Sequence, residues 1–298
     1  MSLASQAPRA FILDFDGTIT LKDTISVLAN YGTEWQKQRG LDMKEAWEEV
    51  VKAYGRDFED HLGGYKPGKD DRRTLDQEIW YYRALRETEE RSFRRVSQSG
   101  LFRGVTKEHW EGAGRETVEK GHVIVRKGFR DFLEKLKQDE SIWGIVSVNF
   151  SGSFIRGVIG ASAGPGHAEV QVLANEPDEK GGLVGPRCEA GKAITTSDAK
   201  LASMKDLLQL WCDRTSLKAS RVVYIGDSGT DIECLMEPGV IGIVMSDDGQ
   251  SSLMQTMHRV GVYVVHIGVY EDNESCGKRT YWARDFDEIL QSPLFPQR

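Results

Sequence analysis

The sequence predicts an α/β protein: a doubly wound parallel sheet with a helical cap inserted after its first strand. Three observations lead there. Short apolar runs recur along the chain, and two of them stop abruptly in acidic residues and glycine, at Leu13-Asp14 and at Ile225-Gly226-Asp227. Stretches of helical periodicity separate several of these runs, the alternation that builds a parallel sheet with helices on its faces. Residues 21–126, between the first run and the second, carry almost no strand pattern.

The first strand is the run Arg9 to Leu13, apolar enough to be buried on both sides. The insertion that follows repeats large apolar residues at helical spacing, as in Met43, Trp47, Val50, Val51 and Tyr54, and again in Ile79, Tyr82, Leu85 and Phe93. Arginine and glutamate fill the remaining positions from Arg83 to Arg95, the pattern of a solvated helix face. The sheet resumes with a strand over Ser141 to Val146. Val170 to Ala174 and Leu183-Val184, joined through Glu179-Lys180-Gly181-Gly182, predict a small hairpin. Thr196-Ser197-Asp198 offers N-caps for a helix from Ala199 to Trp211, which places Lys200 in its first turn. Further strands are expected at Arg221 to Ile225, Val240 to Val244 and Val262 to Ile267, with a short helix around Asp285 to Leu290. The domain expectation is a core of residues 9–20 and 127–298 with a cap of residues 21–126.

The 298 residues suffice for one large domain with an insertion, and 39% hydrophobic with 29% charged content is that of a folded globular chain. The 39 basic and 46 acidic residues leave a formal charge of −7, which argues against a main task of holding nucleic acid. Cys188, Cys212, Cys234 and Cys276 form no CxxC pair and no disulfide-dense spacing, so free thiols are expected. No run approaches the roughly 20 apolar residues of a spanning helix, and Met1 to Pro8 lacks the build of a leader. The expectation is therefore a cytoplasmic protein acting on a small molecule, with no membrane partner.

The chemistry concentrates at the strand ends. In Asp14-Phe15-Asp16-Gly17-Thr18 two carboxylates stand one residue apart where the strand stops, and Gly17 permits a sharp departure. Such a pair can divide phosphoryl transfer between a nucleophile and an acid/base. A carboxylate attacking an anionic phosphate needs a cation against the repulsion, and Mg2+ with its oxygen ligands is the expected one. Gly226-Asp227-Ser228-Gly229-Thr230-Asp231 follows another strand, and all strand ends of a parallel sheet lie along one edge. Ser147 adds a hydroxyl at that edge, with Asn149 close behind, and Lys200 adds a positive charge. Taken singly, Ser147 and Lys200 are ordinary polar residues, and Asp231 is equally a helix N-cap. Their joint order is what points to a site. A dinucleotide enzyme is set aside because no GxGxxG follows the first strand.

That order resembles the four signature motifs of the haloacid dehalogenase superfamily, from about Phe11 to Val244. Lys200, rather than Lys192 or Lys205, matches the family's lysine because it follows Ser197-Asp198 and precedes the apolar helix. The insertion is similar to the small lid of the phosphoserine-phosphatase-like branch. The run Val223 to Ser228, with Asp231, Cys234-Leu235 and Gly242-Ile243-Val244, is similar to fungal members of that branch and to the phosphatase half of plant thiamine monophosphate phosphatase. The resemblance implies Asp14 as nucleophile and metal ligand, Asp16 as acid/base and a ligand through its carbonyl, and Asp227 as a further ligand. Ser147, Asn149 and Lys200 would meet the substrate, and Asp231 would orient a metal-bound water or Lys200. Because Asp16 is present, the resemblance favours phosphate chemistry over dehalogenation.

Asp23 falls where phosphoserine phosphatases carry a glutamate that meets the substrate's amino group; it serves equally as an N-cap for a helix opening at Thr24. Tyr31, Trp35, Trp47, Tyr54, Trp80, Tyr81, Tyr82 and Trp110 make the insertion rich in rings. Most are expected to pack the cap, and any facing the cleft would favour a heteroaromatic or isoprenoid-like phosphomonoester. A phosphotransferase of the same fold and a non-catalytic binding protein are the alternatives.

Overall fold

The computed structural model describes residues 9–167, 170–186, 191–215, 221–271 and 280–295. Cys188 and Cys276 lie outside them; Cys212 is exposed and Cys234 buried, both as free thiols.

The strands β1 (Arg9–Leu13), β2 (Ile142–Val146), β3 (Gln171–Leu173), β6 (Arg221–Gly226), β7 (Val240–Met245), β8 (Val264–His266) and β9 (Thr280–Ala283) form one sheet in the order β3-β2-β1-β6-β7-β9-β8. Every neighbouring pair in it is parallel. β1 is central and wholly buried, and its side chains alternate between two layers. Phe11 and Leu13 face the layer of α6 (Phe129–Gln138), α7 (Gly152–Ala163) and α11 (Phe286–Gln291). Ala10 and Ile12 face that of α8 (Ser197–Thr215), α9 (Ile232–Met236) and α10 (Ser252–Arg259). An unbroken apolar strand is required because neither face meets water. Each large apolar side chain so buried is worth about 1.5–3 kcal/mol.

The register sets the site. Leu13 lies beside both Ile145 and Ile225, so the chain leaves β1, β2 and β6 at one edge with Asp14, Ser147 and Asp227 together there.

Five helices, α1 (Ile25–Lys37), α2 (Lys44–Gly64), α3 (Leu75–Ala84), α4 (Arg86–Ser99) and α5 (Lys107–Glu119), fill the stretch after β1. The chain goes out and comes back side by side: Thr20 bridges Val125 antiparallel, Leu21 N–H donates to the Ile124 carbonyl, and Arg126 N–H donates to the Ile19 carbonyl. On one flank α5 crosses α7 backbone to backbone. A Cβ at Gly114 would strike the Phe154 carbonyl and one at Gly157 the Glu111 carbonyl, so glycine permits the approach. On the other flank Arg83 pairs with Glu233, Arg86 with Asp198, and Arg259 with Glu78 at 2.9 Å. Tyr82 lays its ring on Gly229.

Three expectations need correction. Val170 to Ala174 is not half of a hairpin: β3 extends the main sheet parallel to β2, and the antiparallel pair is β4 (Glu176–Pro177) with β5 (Leu183–Val184). Val172 is buried beside Ile145, and burial against β2 overrides the local turn signal. β9 has no counterpart in the sequence reading; it enters between β7 and β8, displacing the expected last strand to the sheet edge. The helix expected from Ala199 to Trp211 begins at Ser197 and runs to Thr215.

Candidate active site

Asp14 is the first residue beyond β1, and its N–H still bonds the Ile225 carbonyl at 2.8 Å. That bond holds the backbone in the sheet while the carboxylate enters the edge. Lys200, fully buried in the first turn of α8, places its ammonium 2.7 Å from Asp14 Oδ1 and 2.6 Å from Asp231 Oδ1. Lys205 instead pairs with Glu237 at 2.9 Å, and Lys192 is exposed. Asp231 is saturated: Oδ1 also accepts the Tyr224 hydroxyl at 2.6 Å, and Oδ2 accepts the N–H groups of Asp227 and Ser228 and the Ser228 hydroxyl. Its side chain therefore folds the fourth-motif loop and steadies Lys200.

Asp16 points the other way, toward the cap hinge. Oδ1 accepts the backbone N–H and the hydroxyl of Thr24, and Oδ2 accepts the Asn149 side-chain amide at 2.7 Å. Asn149 also donates to the Thr24 hydroxyl at 3.0 Å and accepts the Ser151 N–H at 3.0 Å, so its amide is spent on this cluster. Ser147 Oγ accepts the Asn149 N–H at 3.1 Å. Asp23 is exposed on the hinge, and its Oδ1 takes the Ile25 N–H at 2.8 Å.

Burial dominates the electrostatics. It pushes the Asp14 carboxyl well above the ordinary carboxylate range; Lys200 opposes this, and Asp231 and Asp227 add to it. Burial and then the charge of Asp231 push Asp227 up to about 7, against Lys200 and the Thr18 hydroxyl. Asp16 is raised to about 6 by burial and by Asp23, against the donors from Asn149 and Thr24. Burial alone would discharge Lys200, but Asp14 and Asp231 outweigh it and keep the ammonium charged.

Oxygens of Asp14, Asp227 and Asp231 converge within 4.8 Å of one another. The donor set fits a hard divalent cation. Asp14 Oδ1 takes the Lys200 ammonium at 2.7 Å, and Asp227 receives the Thr18 hydroxyl on Oδ1 at 3.0 Å. Because Asp231 is spent on the loop and on Lys200, Asp14 and Asp227 are the carboxylates left for an oxygen-ligated ion.

Thr24, Thr18 and Tyr224 bond directly to these carboxylates, and Arg126 to the Gly17 and Thr18 carbonyls beside them, yet none of the four was among the candidates the sequence pattern offered. Thr18 and Tyr224 sit inside the motif runs and could have been found from them. Arg126 could not, because its partners lie 108 and 109 positions away, at Thr18 and Gly17.

Residues 8–237 match the family model of the haloacid dehalogenase-like hydrolases, and the chain belongs to that family of enzymes. Among curated proteins it is 26% identical over 274 residues to the bifunctional TH2 protein, mitochondrial, of Arabidopsis thaliana, covering 85% of this chain and 42% of that protein. It is 27% identical over 235 residues to a CTO1 family protein of Schizosaccharomyces pombe, covering 76% of this chain and 77% of the relative. The chain thus spans less than half of the plant relative. Among solved structures, cytosolic 5'-nucleotidase IIIB bound to cytidine shares 14% identity with a TM-score of 0.54, over 84% of this chain and 78% of that one. A phosphoserine phosphohydrolase-like protein from Francisella tularensis shares 12% identity with a TM-score of 0.51, over 97% of this chain and 100% of that one. Both are likenesses of fold. Among the described residues no helix is long and apolar enough to cross a membrane.

Proposed function

We propose that this chain is a Mg2+-dependent phosphomonoester hydrolase that forms an aspartyl-phosphate on Asp14. The observation that carries the reading is Lys200 bridging Asp14 and Asp231, with Asp227 converging on the same point. A carboxylate held against an ammonium beside a second, cation-seeking carboxylate is arranged to meet a phosphate dianion.

Asp14 attacks phosphorus while the bond to the leaving alcohol breaks, and Asp16 delivers its proton to the leaving oxygen. Water then attacks the phosphorus of the aspartyl-phosphate, Asp16 takes the proton back, and phosphate departs with Asp14 restored. A carboxyl that burial pushes up to about 6 serves both directions near neutral pH. Lys200 and the Ser147 hydroxyl hold phosphoryl oxygens. Asn149 holds Asp16 in place through its amide, and Asp23 meets the organic part of the substrate at the hinge. Asp14, Asp227 and the Asp16 carbonyl would hold Mg2+, which would neutralise the charge shared by nucleophile and phosphate.

The leaving group is heteroaromatic or isoprenoid-like. Support comes from the Tyr82 ring seated on Gly229 of the fourth-motif loop, an aromatic wall at the site's margin. A panel of phosphomonoesters assayed with Mg2+ tests both parts. Fastest release of phosphate from flat or apolar esters is expected; a preference for small sugar or amino-acid phosphates would overturn the substrate class, and no release from any ester the hydrolase reading.

A further inference from the structure

Where the cap chain returns to the core it carries one guanidinium beneath the catalytic loop. Arg126 is only 6% exposed. Its Nη2 donates to the Gly17 carbonyl at 2.6 Å, its Nε to the Thr18 carbonyl at 3.1 Å, and its Nη1 to the Arg284 carbonyl at 2.8 Å and to Asp247 Oδ1 at 2.7 Å. Its own N–H completes the hinge crossing on the Ile19 carbonyl at 2.8 Å. Two of the carbonyls it gathers, those of Gly17 and Thr18, belong to the loop that touches Asp227. Gly17 has φ 75°, and a Cβ there would run into the Asp227 carboxylate. The next residue, Thr18, donates its hydroxyl to Asp227 Oδ1 at 3.0 Å. A continuous set of contacts therefore runs from the cap hinge through Arg126, Gly17 and Thr18 to Asp227.

We propose that Arg126 is a positioning residue that couples the cap's return strand to Asp227, so that affinity for the divalent cation depends on how this hinge is held. The proposal rests on the metal-dependent reading above. A planar fork with five N–H donors is what several carbonyls at fixed directions require, and a lysine ammonium reaches them only as a point charge. Peptide planes pinned at Gly17 and Thr18 fix the direction of the Thr18 hydroxyl and, through it, the orientation of Asp227. Such outer partners set the affinity of a ligand without touching the ion. Asp247 is different in kind: its side chain is 78% exposed, and a screened surface charge adds little to a guanidinium already held by three carbonyls.

Calorimetric titration of Mg2+ into the wild-type protein and into Arg126→Lys, Thr18→Val and Asp247→Asn, with thermal unfolding alongside, tests the coupling. Arg126→Lys and Thr18→Val should each weaken Mg2+ binding by about 10- to 100-fold while remaining folded, with Asp247→Asn close to wild type. Wild-type Mg2+ affinity in folded Arg126→Lys would overturn the proposal, as would an equal loss in Asp247→Asn. If Arg126→Lys does not fold, Thr18→Val decides: undiminished affinity there overturns it. A wild-type protein that binds no Mg2+ would remove the metal-dependent function itself, a result distinct from tight binding that is indifferent to these substitutions.

Discussion

Thr24, which stands just before the first cap helix, puts both its backbone N–H and its hydroxyl on Oδ1 of Asp16, at 2.8 and 2.7 Å. The proposed acid/base of the core is thus held by the first residue of the cap proper to be buried, so cap placement and proton transfer share a hydrogen bond.

Thr24→Val removes the hydroxyl donor and keeps the shape and the N–H. Donors to the ionised carboxylate hold its pKa down, so their loss raises it above the present value of about 6. Aspartyl-phosphate formation needs protonated Asp16, and the descending limb of kcat/KM against pH should move to higher pH in the variant. A limb that stays where the wild type has it would remove Asp16 from the acid's role.

Asp14→Asn should abolish turnover while leaving the fold intact, since the amide keeps the size of the carboxylate but is no nucleophile. Losing one member of such a catalytic unit typically costs about 10⁴-fold or more in kcat. Full activity in this variant, measured beside its circular dichroism spectrum, would rule out the nucleophile.

Gly157→Ala tests how the cap is seated. The added methyl meets the Glu111 carbonyl, a backbone atom that cannot step aside cheaply, so α5 and α7 must separate. Overpacking of this kind costs about 1–3 kcal/mol. A lowered Tm and faster proteolysis between α4 and α5 are expected; unchanged values would show that the crossing is looser than its geometry implies.

Glu89 provides a pH test of stability away from the proposed metal ligands. Burial raises its carboxyl pKa, the hydrogen bond from the Tyr54 hydroxyl at 2.8 Å opposing this in part. A folded-state pKa above the unfolded value means the contribution is fully present below the unfolded value and is lost as pH rises through the folded one. Glu89→Gln keeps an acceptor for Tyr54 and removes the charge. Its Tm relative to wild type should therefore be higher near neutral pH than at about pH 4. A Tm difference that does not change with pH would contradict the raised pKa.

Chelation should act on both activity and stability. A cation bound by Asp14 and Asp227 in the native state alone adds to Tm by mass action. Adding Mg2+ to chelator-treated protein should raise Tm and restore phosphatase activity together, and restoration of one without the other would separate the acidic cluster from catalysis.

Most of the fold was legible because the signals are local. Ala10 to Leu13 and Val222 to Ile225 are apolar at every position, as a doubly covered strand requires, and Asp14 and Asp227 mark the positions where the sheet ends. The motif order also made Lys200 a candidate from afar, since a helix start in this topology delivers a side chain to that edge. The parallel α/β core, the helical insertion and the set of acids and lysine at one sheet edge are therefore written in the chain itself. Tertiary structure alone decided how those groups are oriented: that Asp231 is consumed by Lys200, Tyr224 and its own loop, that Asp16 turns to Thr24 and Asn149, and that Arg126 reaches back to Gly17 and Thr18. It also decided that β3 lies flat beside β2 and that β9 enters the sheet between β7 and β8. The reason is the same in each case. Which donor meets which acceptor, whether a few residues away as for Tyr224 and Asp231 or more than a hundred as for Asn149 and Asp16, and which strands burial makes neighbours are properties of packing, which leaves no periodic trace along the chain.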